Sequence, residues 1–112
     1  MITALKNSRV AAYIAACTHA ALFSITTTGT AAGTELTGGT PAYARKPTSW
    51  STPANGATSL TPVTFDVASG STVAGGGFFN ALTGGVYQDG GPLASQPFSS
   101  QGTYQLSATF SE

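Results

Sequence analysis

Cys17 and His19 are the residues of this chain whose types and spacing come closest to a catalytic pair. Side chains two positions apart on a β-strand lie on the same face, so the thiol and the imidazole could act as nucleophile and base. The competing interpretation is that both residues pack into a core, because they lie in apolar sequence at a predicted junction between a helix and a strand. We favour packing, and we predict no catalytic residue and no enzyme activity.

The other residue types that carry chemistry are few and scattered. A metal site needs several converging His, Cys, Asp or Glu ligands, and the chain has one His, one Cys and four carboxylate residues. The run Gly75–Gly77 lacks the Lys and Ser or Thr of a phosphate-binding loop, and Phe78 and Phe79 follow it in place of a helix. A bulge or close backbone packing is the better interpretation of this run. The sequence therefore predicts neither a metal nor a cofactor.

The charge of the chain argues against two classes of partner. Charged residues make up 7% of its 112 residues and the net charge is zero, whereas a typical soluble protein has about 25%. Arg45 and Lys46 are flanked by aromatic residues, a combination found in single-stranded nucleic-acid sites, but two charges are too few without a wider basic surface. We expect the basic pair to contact Glu35 or a partner's carboxylate, and Trp50 to anchor a core or an interface. Neither nucleic acid nor a membrane is an expected partner.

The spacing of apolar residues predicts one helix at the start of the chain. Residues 2–16 are rich in alanine, and four apolar positions recur at helical spacing on one side. These four are Ile2, Leu5, Ala12 and Ala16. The sequence therefore predicts an N-terminal helix over residues 1–16.

The same region resembles a targeting segment, which is a second interpretation. Lys6 and Arg9 precede the apolar run Val10–Cys17, as in a secretory leader, and the run ends in a cysteine, as at a lipoprotein cleavage site. The run is short and poor in leucine, and polar residues interrupt it before it reaches about 20 apolar positions. We therefore favour a packed helix over a leader or a membrane span.

Alternating apolar and polar residues predict about six short strands after the helix. The clearest are residues 63–67 and 104–110. A strand at 43–51 contains Pro47, which cannot donate to a β-ladder and indicates an edge position or a bulge. The remaining predicted strands cover residues 18–27, 72–80 and 85–88.

Glycine, threonine and proline predict the connections between these strands. We expect a long loop at residues 28–40 and turns at 52–59 and 90–92. Short strands at this spacing favour an all-β fold, either a β-sandwich or a jelly-roll-like barrel. The predicted organisation is a single domain over 1–112, with the helix at 1–16 and the β-sandwich at 18–112.

Residues 33–50 read GTELTGGTPAYARKPTSW and resemble short tailed-bacteriophage virion structural proteins, often labelled tail fibre or minor structural or decoration proteins. Members carry a loop close to E-L-x-G-G-x-P-A-Y-x-R, followed by an aromatic residue. The matching positions here are Glu35, Leu36, Gly38, Gly39, Pro41, Ala42, Tyr43, Arg45 and Trp50. The segments 63–65, 81–85 and 98–106 are also similar. The glycine run and Phe78–Phe79 stand where the family has an Ile-Gly-Leu-Trp strand. Leu22–Ser24 lacks the histidine that is usual in the family at that point.

This resemblance implies a non-enzymatic structural protein of the phage virion. We expect a capsid decoration or minor capsid protein that binds the major capsid protein and copies of itself, for example as trimers, and that stabilises the shell. The alternative is a tail or tail-fibre module that binds tail proteins and contacts the host through exposed aromatic residues, Tyr87, Phe78 and Phe79. The absence of coiled-coil and repeat signals favours the capsid. Low-charge surface at the N-terminal segment and at residues 28–40 is expected to contact neighbours. The interface candidates are Ile2, Leu5, Glu35, Leu36, Tyr43, Arg45 and Trp50.

Overall fold

The computed structural model describes residues 2–24 and 33–111. Within them the chain is mostly β with one N-terminal helix, which confirms the predicted fold class at that level. The elements are α1 (Thr3–Ala16), β1 (His19–Phe23), β2 (Lys46–Pro47), β3 (Ala57–Ser59), β4 (Val63–Val67), β5 (Thr72–Phe79), β6 (Tyr87–Pro97), β7 (Gly102–Leu106) and β8 (Thr109–Ser111).

The strands pair antiparallel in three sheets within the described residues. One sheet has four strands in the order β2-β1-β5-β6, and the other two are the pairs β3-β8 and β4-β7. The predicted edge position of Pro47 is confirmed, because β2 lies at one edge of the larger sheet. A β-sandwich or a jelly-roll-like barrel stays a prediction.

Helix α1 follows its predicted bounds but buries a different side from the one expected. Val10 and Cys17 are buried, and Tyr13 packs against the same core. The predicted apolar side, which includes Ile2, Leu5 and Ala12, faces outward. An aromatic ring removes much more apolar area from water than alanine does, so the side that carries Tyr13 is the one that packs.

One predicted turn is wrong, because β6 runs through residues 90–92. The predicted turn 52–59 is confirmed at Asn55 and Gly56, which both have positive φ between the paired residues Ala54 and Ala57, although β3 occupies its last three residues. Gly90 and Gly91 pair directly with Gly77 and Gly76 of β5. A Cβ at Gly77 would lie 2.9 Å from the Asp89 carbonyl oxygen, so glycine allows the two backbones to approach this closely. The interpretation of the glycine run as close backbone packing is confirmed, and a register shift also lies between Val73 and Gly75.

Other predicted elements are shorter in the structure. Only Lys46–Pro47 of the predicted strand 43–51 is a strand, and the predicted strand at 104–110 divides into β7 and β8 because the chain changes partner from β4 to β3. The first strand ends at Phe23, and residues 25–32 of the predicted strand and loop lie outside the described residues.

The main core lies between the four-stranded sheet and the β4-β7 pair. Its buried members include Leu22, Val73 and Phe78 from the larger sheet and Phe65, Val67 and Leu106 from the pair. The opposite face of the larger sheet carries a second cluster, formed by Ala21, Phe23 and Phe79 with Tyr87 packed against it. Strand β1 is therefore buried on both faces, and each fully buried large side chain contributes about 1.5–3 kcal/mol.

Candidate functional site

Arg45 and Glu35 form a bidentate ion pair beside the larger sheet. Arg45 Nε donates to Glu35 Oε2 and Arg45 Nη2 donates to Glu35 Oε1, each over 3.0 Å. The Arg45 side chain is only 10% exposed and that of Glu35 is 26% exposed. Of the two partners expected for Arg45 from the sequence, the structure shows Glu35.

Tyr43 connects this ion pair to strand β1. Its hydroxyl donates to Glu35 Oε2 over 2.8 Å and accepts a hydrogen bond from the Leu22 backbone N–H over 2.9 Å. The Tyr43 ring also stacks on Phe65 of the main core, with ring centroids 5.9 Å apart. Burial raises the pKa of the Tyr43 hydroxyl, which therefore stays protonated and able to donate at neutral pH.

Arg45 also holds the loop between β5 and β6. Its Nη1 donates to the Ala81 carbonyl over 3.1 Å and to the Gly84 carbonyl over 2.7 Å. The guanidinium carbon lies 3.5 Å from the centroid of the Phe79 ring, which adds a cation–π contact. We call Glu35, Tyr43, Arg45 and the carbonyls of Ala81 and Gly84 the Arg45 clamp. Its charged groups are paired with each other, so the clamp is suited to fixing chain segments in place.

The clamp and a second contact join three segments that are far apart in the sequence. The Gln101 side chain donates from Nε2 to the Pro41 carbonyl over 3.2 Å and accepts from the Thr40 N–H through Oε1 over 3.4 Å. Segment 98–106 is thereby connected to the loop 35–45, and the Arg45 clamp connects that loop to 81–84. Residues that are far apart in the sequence therefore form one connected network of hydrogen bonds.

A shallow cleft of about 430 Å³ lies beside the clamp, lined by Glu35, Arg45 and Leu82 among others. Leu82 is 53% exposed and Val86, on the same loop, is 61% exposed. The Asn80 side chain accepts a hydrogen bond from the Val86 N–H over 2.8 Å, so the loop is held at both ends. Of these two exposed apolar residues, Leu82 lines the cleft.

Cys17 and His19 do not form the pair that could act in catalysis. The Cys17 thiol is buried at the end of α1, and burial raises its pKa to about 11. His19 Nδ1 instead lies in hydrogen-bond contact with the Thr18 hydroxyl, 3.0 Å away. A buried thiol that keeps its proton is a poor nucleophile. The packing interpretation of Cys17 is confirmed.

The raised pKa of Cys17 predicts both its reactivity and a dependence of stability on pH. At pH 8 the folded protein should carry about one thiolate per thousand molecules, so a thiol reagent should react with Cys17 only after unfolding in guanidinium. Between pH 9 and 11 the Cys17 thiol loses its proton in the unfolded chain but retains it in the folded chain. The free energy of unfolding should therefore fall as the pH rises across that window. Denaturant titrations at pH 8 and pH 10.5 measure the loss, and Cys17→Ala should reduce it. Fast reaction of the folded protein at pH 8 would contradict the prediction.

A second cleft, of about 210 Å³, lies between α1 and the β5-β6 hairpin. We call it the aromatic cleft, because aromatic rings line it. Tyr13, Trp50 and Phe78 form its walls, and Tyr13 donates its hydroxyl hydrogen bond to Asp89 Oδ2 over 2.8 Å. Trp50 is held in place by a hydrogen bond from its Nε1 to the Cys17 carbonyl over 3.2 Å. Sequence analysis identified Trp50 as an anchor but missed Tyr13 and Asp89, because no motif marks them and strand pairing brings them together.

The structure separates the predicted interface candidates into three groups. Ile2 and Leu5 are 72% and 49% exposed, and Leu36 is buried in the main core, where its side chain cannot contact a neighbour. The others are partly buried, with Glu35, Tyr43 and Arg45 in the clamp and Trp50 in the aromatic cleft. Phe78 and Phe79, expected to be exposed in a tail module, are also buried.

Two features are absent from residues 2–24 and 33–111. No three His, Cys, Asp or Glu side chains converge there in a way that could hold a metal ion. Among these residues, no helix has both the length and the apolar character needed to cross a membrane. In comparisons with known proteins, no family model, curated protein or solved structure matches this chain.

Proposed function

We propose that this chain is a non-enzymatic structural protein of a tailed-bacteriophage virion. In this role it is a capsid decoration or minor capsid protein that binds the major capsid lattice and copies of itself. The observation that carries the proposal is the outward-facing apolar side of α1. Ile2, Leu5 and Ala12 are exposed there, on a helix in which Val10 is the buried residue.

The rest of the described chain covers only one side of α1. Most helical stability in proteins comes from packing an apolar face, and short helices are marginal in water without it. The contacts of α1 with the rest of the chain include buried Val10, the ring of Tyr13 and the Lys6 side chain beside Gly56. The Gly56 N–H also donates a hydrogen bond to the Asn7 side chain. A neighbouring subunit that covers Leu5 and Ala12 would supply the missing packing.

The charge content of the chain also supports a place in an assembly. With 7% charged residues and a net charge of zero, copies of the chain repel one another little. Low repulsion favours dense arrays of subunits, such as those on a capsid surface. The resemblance of residues 33–50 to phage virion proteins points to the same class of particle.

The finer fold is part of the same proposal. We infer a β-sandwich in which the four-stranded sheet and the β4-β7 pair are the two layers, because side chains from both make up the main core. The tail alternative has less support, since Phe78 and Phe79 are buried and do not offer the aromatic face it requires.

The copy number and location of the protein in particles test the proposal. Particles of the phage that carries this sequence would be purified, and heads and tails would be separated. The protein would then be quantified by mass spectrometry against isotope-labelled peptides. Chymotrypsin is the suitable protease, because the chain has only four basic residues but aromatic residues along most of its length.

A decoration protein should be present in on the order of hundreds of copies per head, since it occupies sites repeated by the capsid symmetry. A few copies confined to tails would establish the tail alternative instead. Absence from both fractions would contradict a virion role.

A further inference from the structure

Gly91 leaves open space in the aromatic cleft, on the inner face of the β5-β6 hairpin. Gly76 pairs with Gly91, and Phe78 pairs with Asp89 two positions along, so all four face the same side of the sheet. A Cβ at Gly91 would meet no atom within 4 Å. A Cβ at Gly76 would instead lie 3.2 Å from the side chains of Leu93 and Leu106, so the hollow that Phe78 and Asp89 border lies at Gly91.

The walls of this hollow are fixed before any ligand arrives. The Tyr13 ring stacks on Phe110 at 3.8 Å between centroids and meets the Trp50 ring edge to face at 5.7 Å. The Trp50 ring lies 5.2 Å from that of Phe78. Rings locked by their neighbours lose little freedom when a ligand binds, so a pre-organised site binds more tightly.

The cleft carries negative charge beside its aromatic rings. Asp89 lines it, and the Tyr13 hydroxyl orients the carboxylate by donating to Oδ2. Aromatic faces attract cations through their quadrupoles, and a carboxylate accepts charge-assisted hydrogen bonds from them. The site is therefore complementary to a flat organic cation.

We propose that this cleft binds the guanidinium group of an arginine side chain presented by another protein. Guanidinium is planar, stacks on aromatic rings and pairs with carboxylates through a fixed fork of N–H donors. A volume of about 210 Å³ admits one long side chain, whereas cofactor-sized ligands generally occupy about 300–1,000 Å³. This inference goes beyond the proposed function and does not depend on where in a particle the protein lies.

Binding in the cleft can be followed by the fluorescence of Trp50, because it is the only tryptophan in the chain and lines the cleft. The full chain would be titrated with Nα-acetyl-arginine amide while Trp50 fluorescence is recorded. Nα-acetyl-citrulline amide is the control ligand, since it has nearly the same shape but no charge. Asp89→Asn is the test variant, because it removes the negative charge and keeps an oxygen that can accept the Tyr13 hydrogen bond. Asp66→Asn is the control variant, because it removes a half-buried carboxylate outside the cleft.

The expected result is a saturable fluorescence change with the arginine probe in the wild type and in Asp66→Asn, and none with citrulline. Asp89→Asn should weaken binding about tenfold or more, as expected when a charge-assisted hydrogen bond is lost. If Asp89→Asn does not fold, Gly91→Val tests the site by filling the cleft, and it should abolish the response. The proposal would be overturned by equal responses to the arginine and citrulline probes or by the absence of a saturable response. Full binding of the arginine probe by both cleft variants would also overturn it.

Discussion

Replacing Arg45 with methionine should lower the free energy of unfolding by about 3–4 kcal/mol and the Tm by roughly 15 °C. The change leaves the Glu35 carboxylate without its bidentate partner, and it removes the donor to the carbonyls of Ala81 and Gly84. Removing one partner of a largely buried ion pair is costly because the other charge stays partly buried. Guanidinium unfolding followed by Trp50 fluorescence measures the change.

Lys46→Met is the matched control, because it removes the same charge at the next position on an edge strand. It should alter stability by less than about 0.5 kcal/mol. Arg45→Lys should recover only a minority of the loss, since an ammonium cannot reproduce the fork of donors. Equal denaturation midpoints for Arg45→Met and the wild type would show that the clamp does not stabilise the fold.

The double variant Leu5→Glu, Ala12→Glu should reduce incorporation into particles at least about tenfold while leaving the fold intact. Both residues are exposed on the outward side of α1, and glutamate is a good helix former, so the free protein should lose little stability. In an interface, two carboxylates buried against an apolar neighbour would each be costly. Binding of purified protein to particles that lack it, quantified after sedimentation, measures the effect.

Thr103→Glu, Gln105→Glu is the matched control for the helix variant. These residues are exposed on β7, and the change introduces the same number of charges away from α1. This control should bind particles as the wild type does. Normal incorporation of the α1 variant would mean that the helix is not a contact surface, and circular dichroism of both variants separates that outcome from misfolding.

The parts of the fold that depend on local pattern were predictable from the sequence. Residues 63–67 form β4 because apolar and polar residues alternate there, and Pro47 lies on an edge strand because proline cannot donate to a ladder. Opposite charges spaced along a motif also indicated the contact between Arg45 and Glu35. In each case the physical cause acts within a few residues, or through charge alone.

The parts that depend on pairing between distant segments were not predictable. Residues 90–92 carry the usual signature of a turn, and only their pairing with the glycines of β5 makes them part of a strand. The buried side of α1 depends on where the Tyr13 ring packs. Residues of three distant strands, β5, β6 and β8, contact that side chain. The hydrogen bond between Tyr13 and Asp89, 76 positions apart, also depends on packing between distant segments.

Strand β6 affects the tendency of free copies of the protein to aggregate. Its 11 residues form an outer strand of the larger sheet, and such a strand is a template on which other copies can aggregate. Pro92 and Pro97 have no N–H and cannot donate to a β-ladder, and proline is one of the residues by which natural edge strands limit such pairing. The two prolines of β6 therefore disfavour fibril growth in a chain whose net charge is zero and whose copies repel one another little.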